Sequence, residues 1–94
     1  MFLHLGSDAM VPIAEVIAIL DIRNKKSAAY RQYLADKKGN RSIVDLAEGD
    51  PSSYVLTNKT VYLSNISSLT LKKRAEEEFY QEAVYSLSRA TGGY

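Results

Sequence analysis

The side chains that could do chemistry in this sequence are few. His4 is the single histidine in 94 residues, and there is no cysteine, whereas metal sites draw on several nitrogen or sulfur ligands. Without cysteine, thiol redox chemistry and disulfides are excluded. Serines are plentiful, but a serine nucleophile needs a base, and His4 has no identifiable acid partner. Gly39, Gly49, Gly92 and Gly93 stand apart from any strand-to-helix turn of the kind that cradles phosphates. Asp21 and Asp45 end apolar stretches, where solvated strand ends are far commoner than catalytic pairs. These residues imply a protein that is not an enzyme and holds neither metal nor cofactor.

What remains is charge and aromatic surface. Twelve Lys and Arg against eleven Asp and Glu leave a formal net charge of +1, so a polyanion partner would need clustered rather than bulk charge. One cluster comprises Arg23, Lys25, Lys26 and Arg31, with Lys37, Lys38 and Arg41 across a helix. Split among loop, helix end and strand start, these either converge into a phosphate-contacting patch or solvate a surface. Arg23, Lys25, Lys26, Arg31 and Arg41 are the candidate DNA contacts. A second cluster, Lys72-Lys73-Arg74, is followed four residues later by Glu76-Glu77-Glu78. Three i,i+4 pairs along a helix would neutralise it internally, although Lys before Glu is the weaker orientation. Seven tyrosines and two phenylalanines suit half-buried rings with wet hydroxyls, base stacking or a subunit interface.

The elements that must position these residues follow from periodicity. Phe2 to Leu5 reads as a short strand closed by Gly6-Ser7-Asp8, and Met10 to Ile13 as an edge strand because Pro12 cannot donate to a ladder. Val16 to Ile22 is the most apolar run and is expected to be a strand covered on both faces. Ser27 to Lys38 reads as a helix with a basic last turn and Gly39 as its stop. Ser42 to Leu46 returns to strand before the loop Glu48-Gly49-Asp50-Pro51-Ser52. Tyr54 to Thr57 and Thr60 to Ser64 flank Asn58-Lys59 as a tight hairpin. From Ser67 or Ser68 a helical pattern runs to about Arg89, its stripe of Leu71, Ala75, Phe79, Ala83 and Leu87 suited to packing on a sheet or on another subunit. Phe79, Tyr80, Val84 and Leu87 are the candidate interface residues.

This order predicts an α+β fold: a mainly antiparallel sheet of about six short strands, one mid-chain helix and a long C-terminal helix. Residues 1–90 are expected to form one domain, with 91–94 a frayed tail. The first twenty residues contain His4, Asp8, Pro12 and Glu15 and no basic cluster precedes them, which fits neither a signal peptide nor a membrane span. A cytoplasmic location without membrane contact is expected.

Phe2-Leu3-His4-Leu5-Gly6, Val16-Ile17-Ala18-Ile19-Leu20-Asp21 and the run from Tyr62 to Arg74 carry a resemblance. Its most specific stretch is Leu63-Ser64-x-Ile66-Ser67-Ser68-x-Thr70-Leu71-x-Lys73-Arg74. Over roughly residues 1 to 74 the chain resembles the extracellular matrix regulatory protein family, and its RemB branch most. The resemblance implies a transcriptional regulator of biofilm-matrix genes. The sister RemA branch binds DNA as a ring-like oligomer without a helix-turn-helix. This sequence departs from that branch in two places: Gly49-Asp50-Pro51-Ser52-Ser53 stands where RemA has an arginine-rich loop, and Glu15 stands where RemA has arginine. Fold and homo-oligomeric assembly carry over; DNA contact at that loop does not. Two readings follow, an oligomer that binds double-stranded DNA and a regulator or scaffold that acts through a protein partner.

Overall fold

The structure, a computed structural model, describes residues 1–39 and 42–90, with side chains followed as far as residue 80. The chain opens with a hairpin of β1 (Phe2–Gly6) and β2 (Ala9–Pro12). Its turn residues Ser7 and Asp8 both take positive φ, 48° and 64°, the mirror-image turn whose twist matches that of the strands it joins. Pro12 sits at the end of the pair, opposite Phe2, where a missing N–H costs little. The expected strand Met10 to Ile13 ends one residue early. Ile13 donates its N–H to the Met1 carbonyl at 3.0 Å and starts a single 3-10 turn, Ile13–Glu15.

A second sheet contains β3 (Val16–Asp21), β4 (Ser42–Asp45), β5 (Ser53–Thr57) and β6 (Thr60–Ser64) in the order β3-β5-β6-β4. The fold is thus α+β, but its six strands form two sheets rather than the one expected. β3–β5 and β5–β6 are antiparallel, while β4 lies parallel to β6. The parallel pair follows from the connection: β3, the helix α1 (Ala28–Lys38) and β4 make a crossover that returns the chain in its original direction. The Asn58-Lys59 hairpin forms as expected. Thr57 Oγ1 donates to the Thr60 carbonyl at 2.7 Å and accepts from the Thr60 N–H at 3.1 Å.

Alternation along the central strands sorts the core onto two faces. Tyr54, Val61, Leu63 and Ile22 pack beneath α1 with Ala29, Tyr30 and Tyr33. Val55 and Ile19 face the other way, against Leu3, Leu5 and Val11 of the hairpin and Leu71 of α2 (Ser68–Ala90). α1 has no fully buried residue; it rests on the sheet through half-buried tyrosine rings, and the buried Tyr54 hydroxyl donates to the Asp36 carboxylate. Its start and stop are local. Ser27 Oγ accepts from the Tyr30 N–H at 3.0 Å, and the Gly39 N–H donates to the Asp36 carbonyl at 3.1 Å.

The serine-rich stretch after β6 joins these layers. Ser64 Oγ, fully buried, donates to the Leu5 carbonyl at 2.8 Å and accepts from the Ile66 N–H at 3.0 Å. Ser53 Oγ donates to the Ile66 carbonyl at 2.8 Å, and Ser67 Oγ caps α2 by accepting from the Thr70 N–H at 3.2 Å. Leu63-Ser64-x-Ile66-Ser67-Ser68 is therefore a joint that ties hairpin, sheet and helix together, with every buried side-chain polar atom among the described residues satisfied. Leu71 is buried at the base of α2, yet Phe79 and Tyr80, two turns on, are 66% and 67% exposed. No helix among the described residues is long and apolar enough to cross a membrane.

Candidate nucleic-acid interface

The basic turn Arg23 to Lys26 links the end of β3 to the start of α1, and its conformation is set by side chains within it. The Asp21 carboxylate accepts from the Arg23 backbone N–H at 2.9 Å and from its guanidinium at 3.1 and 2.9 Å. Asn24 Oδ1 accepts from the Lys26 N–H at 2.9 Å, and the Asn24 carbonyl accepts from the Ser27 N–H at 3.0 Å, a side-chain turn that leads directly into the helix cap. Opposite lies the loop after β4, where Glu48 and Gly49 have φ of 54° and 102°. This reversal is held by the Ala47 N–H, which donates to Asp45 Oδ1 at 2.9 Å. The Ile22 N–H donates to the Ser52 carbonyl at 3.2 Å and brings the two loops together.

Between them is an open cleft of about 300 Å³, lined by Arg23, Lys25, Tyr30, Tyr33, Asp50 and Ser52 among others. The Tyr30 and Tyr33 rings pack at 5.5 Å between centroids, tilted by 53°. Tyr33 also lines a neighbouring cleft with Lys37 and Asp45, and Lys37 Nζ lies 5.9 Å from its ring centroid. One face thus combines two tyrosine rings with three cations, an arrangement able to hold a phosphate against an aromatic base.

Among the described residues, the expected DNA contacts separate in space. Arg23 and Lys25 meet in the cleft. Lys26 and Arg31 are exposed but do not line it. Arg41 lies outside the described residues. Lys37, part of the basic cluster in the sequence but not one of the five candidate contacts, joins the face; the signal was its i,i+4 spacing from Tyr33. Arg23 is partly spent on Asp21, the one ion pair among the described residues, with Nη2 to Oδ2 at 2.9 Å. The Arg23 guanidinium hydrogen bond, then the Arg23 backbone N–H, holds the Asp21 carboxyl down at about 2, from an ordinary 3.8. Asp50, on the rim, adds negative charge.

The folded carboxyl is the stronger acid, so the turn's contribution to stability is complete above about pH 4 and is lost as pH falls towards 2. NMR titration of Asp21 should show a midpoint near 2, and Arg23→Ala should raise it, leaving only the hold of the backbone N–H. An unchanged midpoint in the variant would refute this assignment.

Elsewhere, His4 is exposed in an open cleft beside Arg74, Glu77 and Glu78, and no cluster of metal-ligating side chains occurs among the described residues. The expected i,i+4 pairs of Lys72, Lys73 and Arg74 with Glu76, Glu77 and Glu78 are not made among the described residues. Exposed pairs in the weaker orientation gain too little to hold two long side chains. Of the candidate interface residues, Phe79 and Tyr80 line an apolar groove of about 460 Å³ with Ile13, Val16, Ala75 and Glu76. The side chains of Val84 and Leu87 lie outside the described residues.

Residues 2–75 match the RemA-like family, described as Extracellular matrix regulatory protein A-like. The chain belongs to that family. It is also similar to Extracellular matrix regulatory protein B of Bacillus subtilis (strain 168), with 37% identity over 79 residues that cover 84% of this chain and 95% of that protein. The matched segment contains both loops of the cleft and the whole serine joint, whereas Phe79 and Tyr80 fall beyond it.

Proposed function

We propose that this chain is a RemB-like regulator of extracellular matrix (biofilm) gene expression, cytoplasmic, acting as a ring-like homo-oligomer that binds double-stranded DNA. The observation that carries the reading is the convergence of Arg23 and Lys25 with Tyr30 and Tyr33 in one cleft of a chain that belongs to a family of matrix regulators. The cations contact phosphates; a modest contact per subunit becomes useful when an assembly repeats it along one duplex. Membership of a family described as regulatory also supports a non-enzymatic role.

One observation favours a second reading. Asp50 sits on the cleft rim and Asp21 occupies the Arg23 guanidinium, which lowers the attraction for a polyanion. The regulator would then act through a protein partner or as a scaffold without touching DNA.

Retention of double-stranded DNA at low and high salt separates the two. Phosphate contacts release counterions, so log affinity should fall linearly with log salt, by about 0.9 per contact. Binding as absent at about 50 mM salt as at about 200 mM, the range over which phosphate contacts weaken steeply, would rule out direct DNA contact in favour of the protein-partner reading.

A further inference from the structure

The cleft between α1 and the loop after β4 holds more than a duplex can use. A duplex offers phosphates and base edges, while its base faces are covered by stacking. Yet the Tyr30 and Tyr33 rings line the cleft beside Arg23 and Lys25. Both rings are half-buried, backed by the core of the sheet. A groove for a continuous strand carries cations along its length, but Lys26 and Arg31 do not line this one. Its charges are also mixed. Asp50 shares the lining with Arg23 and Lys25, and Arg23 is paired with Asp21. That balance suits one phosphate, not a chain of them.

We propose that this cleft binds a single nucleoside monophosphate, its phosphate at Arg23 and Lys25, its base against Tyr30 and its ribose hydroxyls donating to Asp50. This rests on the cleft as the binding site read above and gives it a small-molecule ligand that competes with DNA. The Asp21 carboxylate accepts from Arg23 Nε at 3.1 Å and Nη2 at 2.9 Å, which fixes the guanidinium and leaves Nη1 without a partner among the described residues. Lys25 makes no ion pair among them. A base of any identity has a face to stack on a tyrosine, and a carboxylate is a recurrent acceptor for ribose hydroxyls. Asp50, a defect in a duplex groove, thus has a use.

The walls are in place before any ligand arrives. Ser52 accepts from the Ile22 N–H at 3.2 Å and donates its own N–H to the Ser64 carbonyl at 2.9 Å, which pins the loop that carries Asp50. The opposite wall is set by the Asp21 and Asn24 turns. A volume of about 300 Å³ lies at the lower end of the roughly 300–1,000 Å³ of small-molecule sites. It has room for one nucleotide.

The test is calorimetric titration of the full chain with adenosine, guanosine, cytidine and uridine monophosphate, with circular dichroism to verify the fold of each variant. At least one should bind, and its nucleoside or inorganic phosphate alone should bind about tenfold more weakly or worse. Tyr30→Leu should weaken nucleotide binding by about tenfold while Tyr30→Phe, which keeps the ring, should not. Lys25→Ala should weaken the nucleotide by about tenfold and leave the nucleoside unchanged. Asp50→Ala should also weaken it, whereas mere removal of a negative charge near phosphate would strengthen it. If none of the four binds at millimolar concentration, or inorganic phosphate binds as well as they do, the inference is overturned. A single-stranded oligonucleotide that binds far more tightly than its nucleotides would replace it with a single-strand groove. Duplex retention without nucleotide binding sinks this inference and leaves the DNA reading standing; nucleotide binding without duplex retention does the reverse. Where both bind, the nucleotide must displace the duplex, and simultaneous binding would place it elsewhere.

Discussion

Leu71→Ala should lower the unfolding free energy by roughly 2–5 kcal/mol, the range for a fully buried leucine that leaves a cavity behind. Leu71 has no exposed surface and is packed among Leu3, Leu5, Val11, Ile19 and Val55. It is the one fully buried anchor of α2 among the described side chains, so its truncation loosens the helix from both the hairpin and the sheet. Against a total stability of about 5–15 kcal/mol for a domain of this size, that is a large fraction. Urea unfolding at fixed protein concentration should show a clearly lower midpoint. Met10→Ala, at a position 52% exposed on the outer face of the hairpin, should cost under about 1 kcal/mol. Equal effects of the two substitutions would contradict the observed partition of core and surface.

The largest functional effect is expected from charge at the cleft. Lys25→Glu with Lys26→Glu should reduce DNA affinity by about tenfold or more at fixed low salt. Each reversal replaces an attraction to phosphate with a repulsion of about 1 kcal/mol at close approach in water. The salt dependence should flatten by roughly one unit of slope for each phosphate that is no longer neutralised. Lys25→Glu alone should carry most of the effect, because Lys25 lines the cleft and Lys26 does not. Asp50→Arg with Ser52→Arg should strengthen binding through the opposite change on the same rim. Filter binding or fluorescence anisotropy with a duplex probe reads both. If the assembly stays intact and neither pair alters DNA retention, direct DNA contact is refuted and the protein-partner reading replaces it.

The two effects live on different parts of the molecule. Leu71 belongs to the core between sheet, hairpin and α2, whereas the cleft lies on the α1 side of the sheet. The serine joint belongs with the first: Ser53, Ser64 and Ser67 spend their hydroxyls on backbone groups and the α2 cap. The stretch that carries the strongest family resemblance is thus explained by folding, while the face proposed to touch DNA is built from residues of weaker pattern.

Features held by neighbours in the chain could be read directly from the sequence. The Gly39 stop, the Asn58-Lys59 hairpin and the Gly6-Ser7-Asp8 turn depend on hydrogen bonds and φ preferences within a few residues, and all three stand where the residue types place them. The strand character of Val16 to Asp21 was equally legible, but the expected cover on both faces was not met: β3 lies at the sheet edge with Ile17 58% exposed. What only the tertiary structure decided depends on contacts between distant residues. Local pattern could not show that β4 pairs parallel to β6, or that the first hairpin forms its own sheet, because pairing partners are chosen by packing across both faces. Nor could it separate Lys25 from Lys26: adjacent in sequence, they diverge because the Asn24 turn sends one toward the loop at Asp50 and the other along the surface. The stripe from Leu71 to Phe79 likewise read as one face. Burial ends between Leu71 and Phe79 because the sheet and hairpin cover only the base of α2, and Phe79 and Tyr80 beyond that support are left exposed.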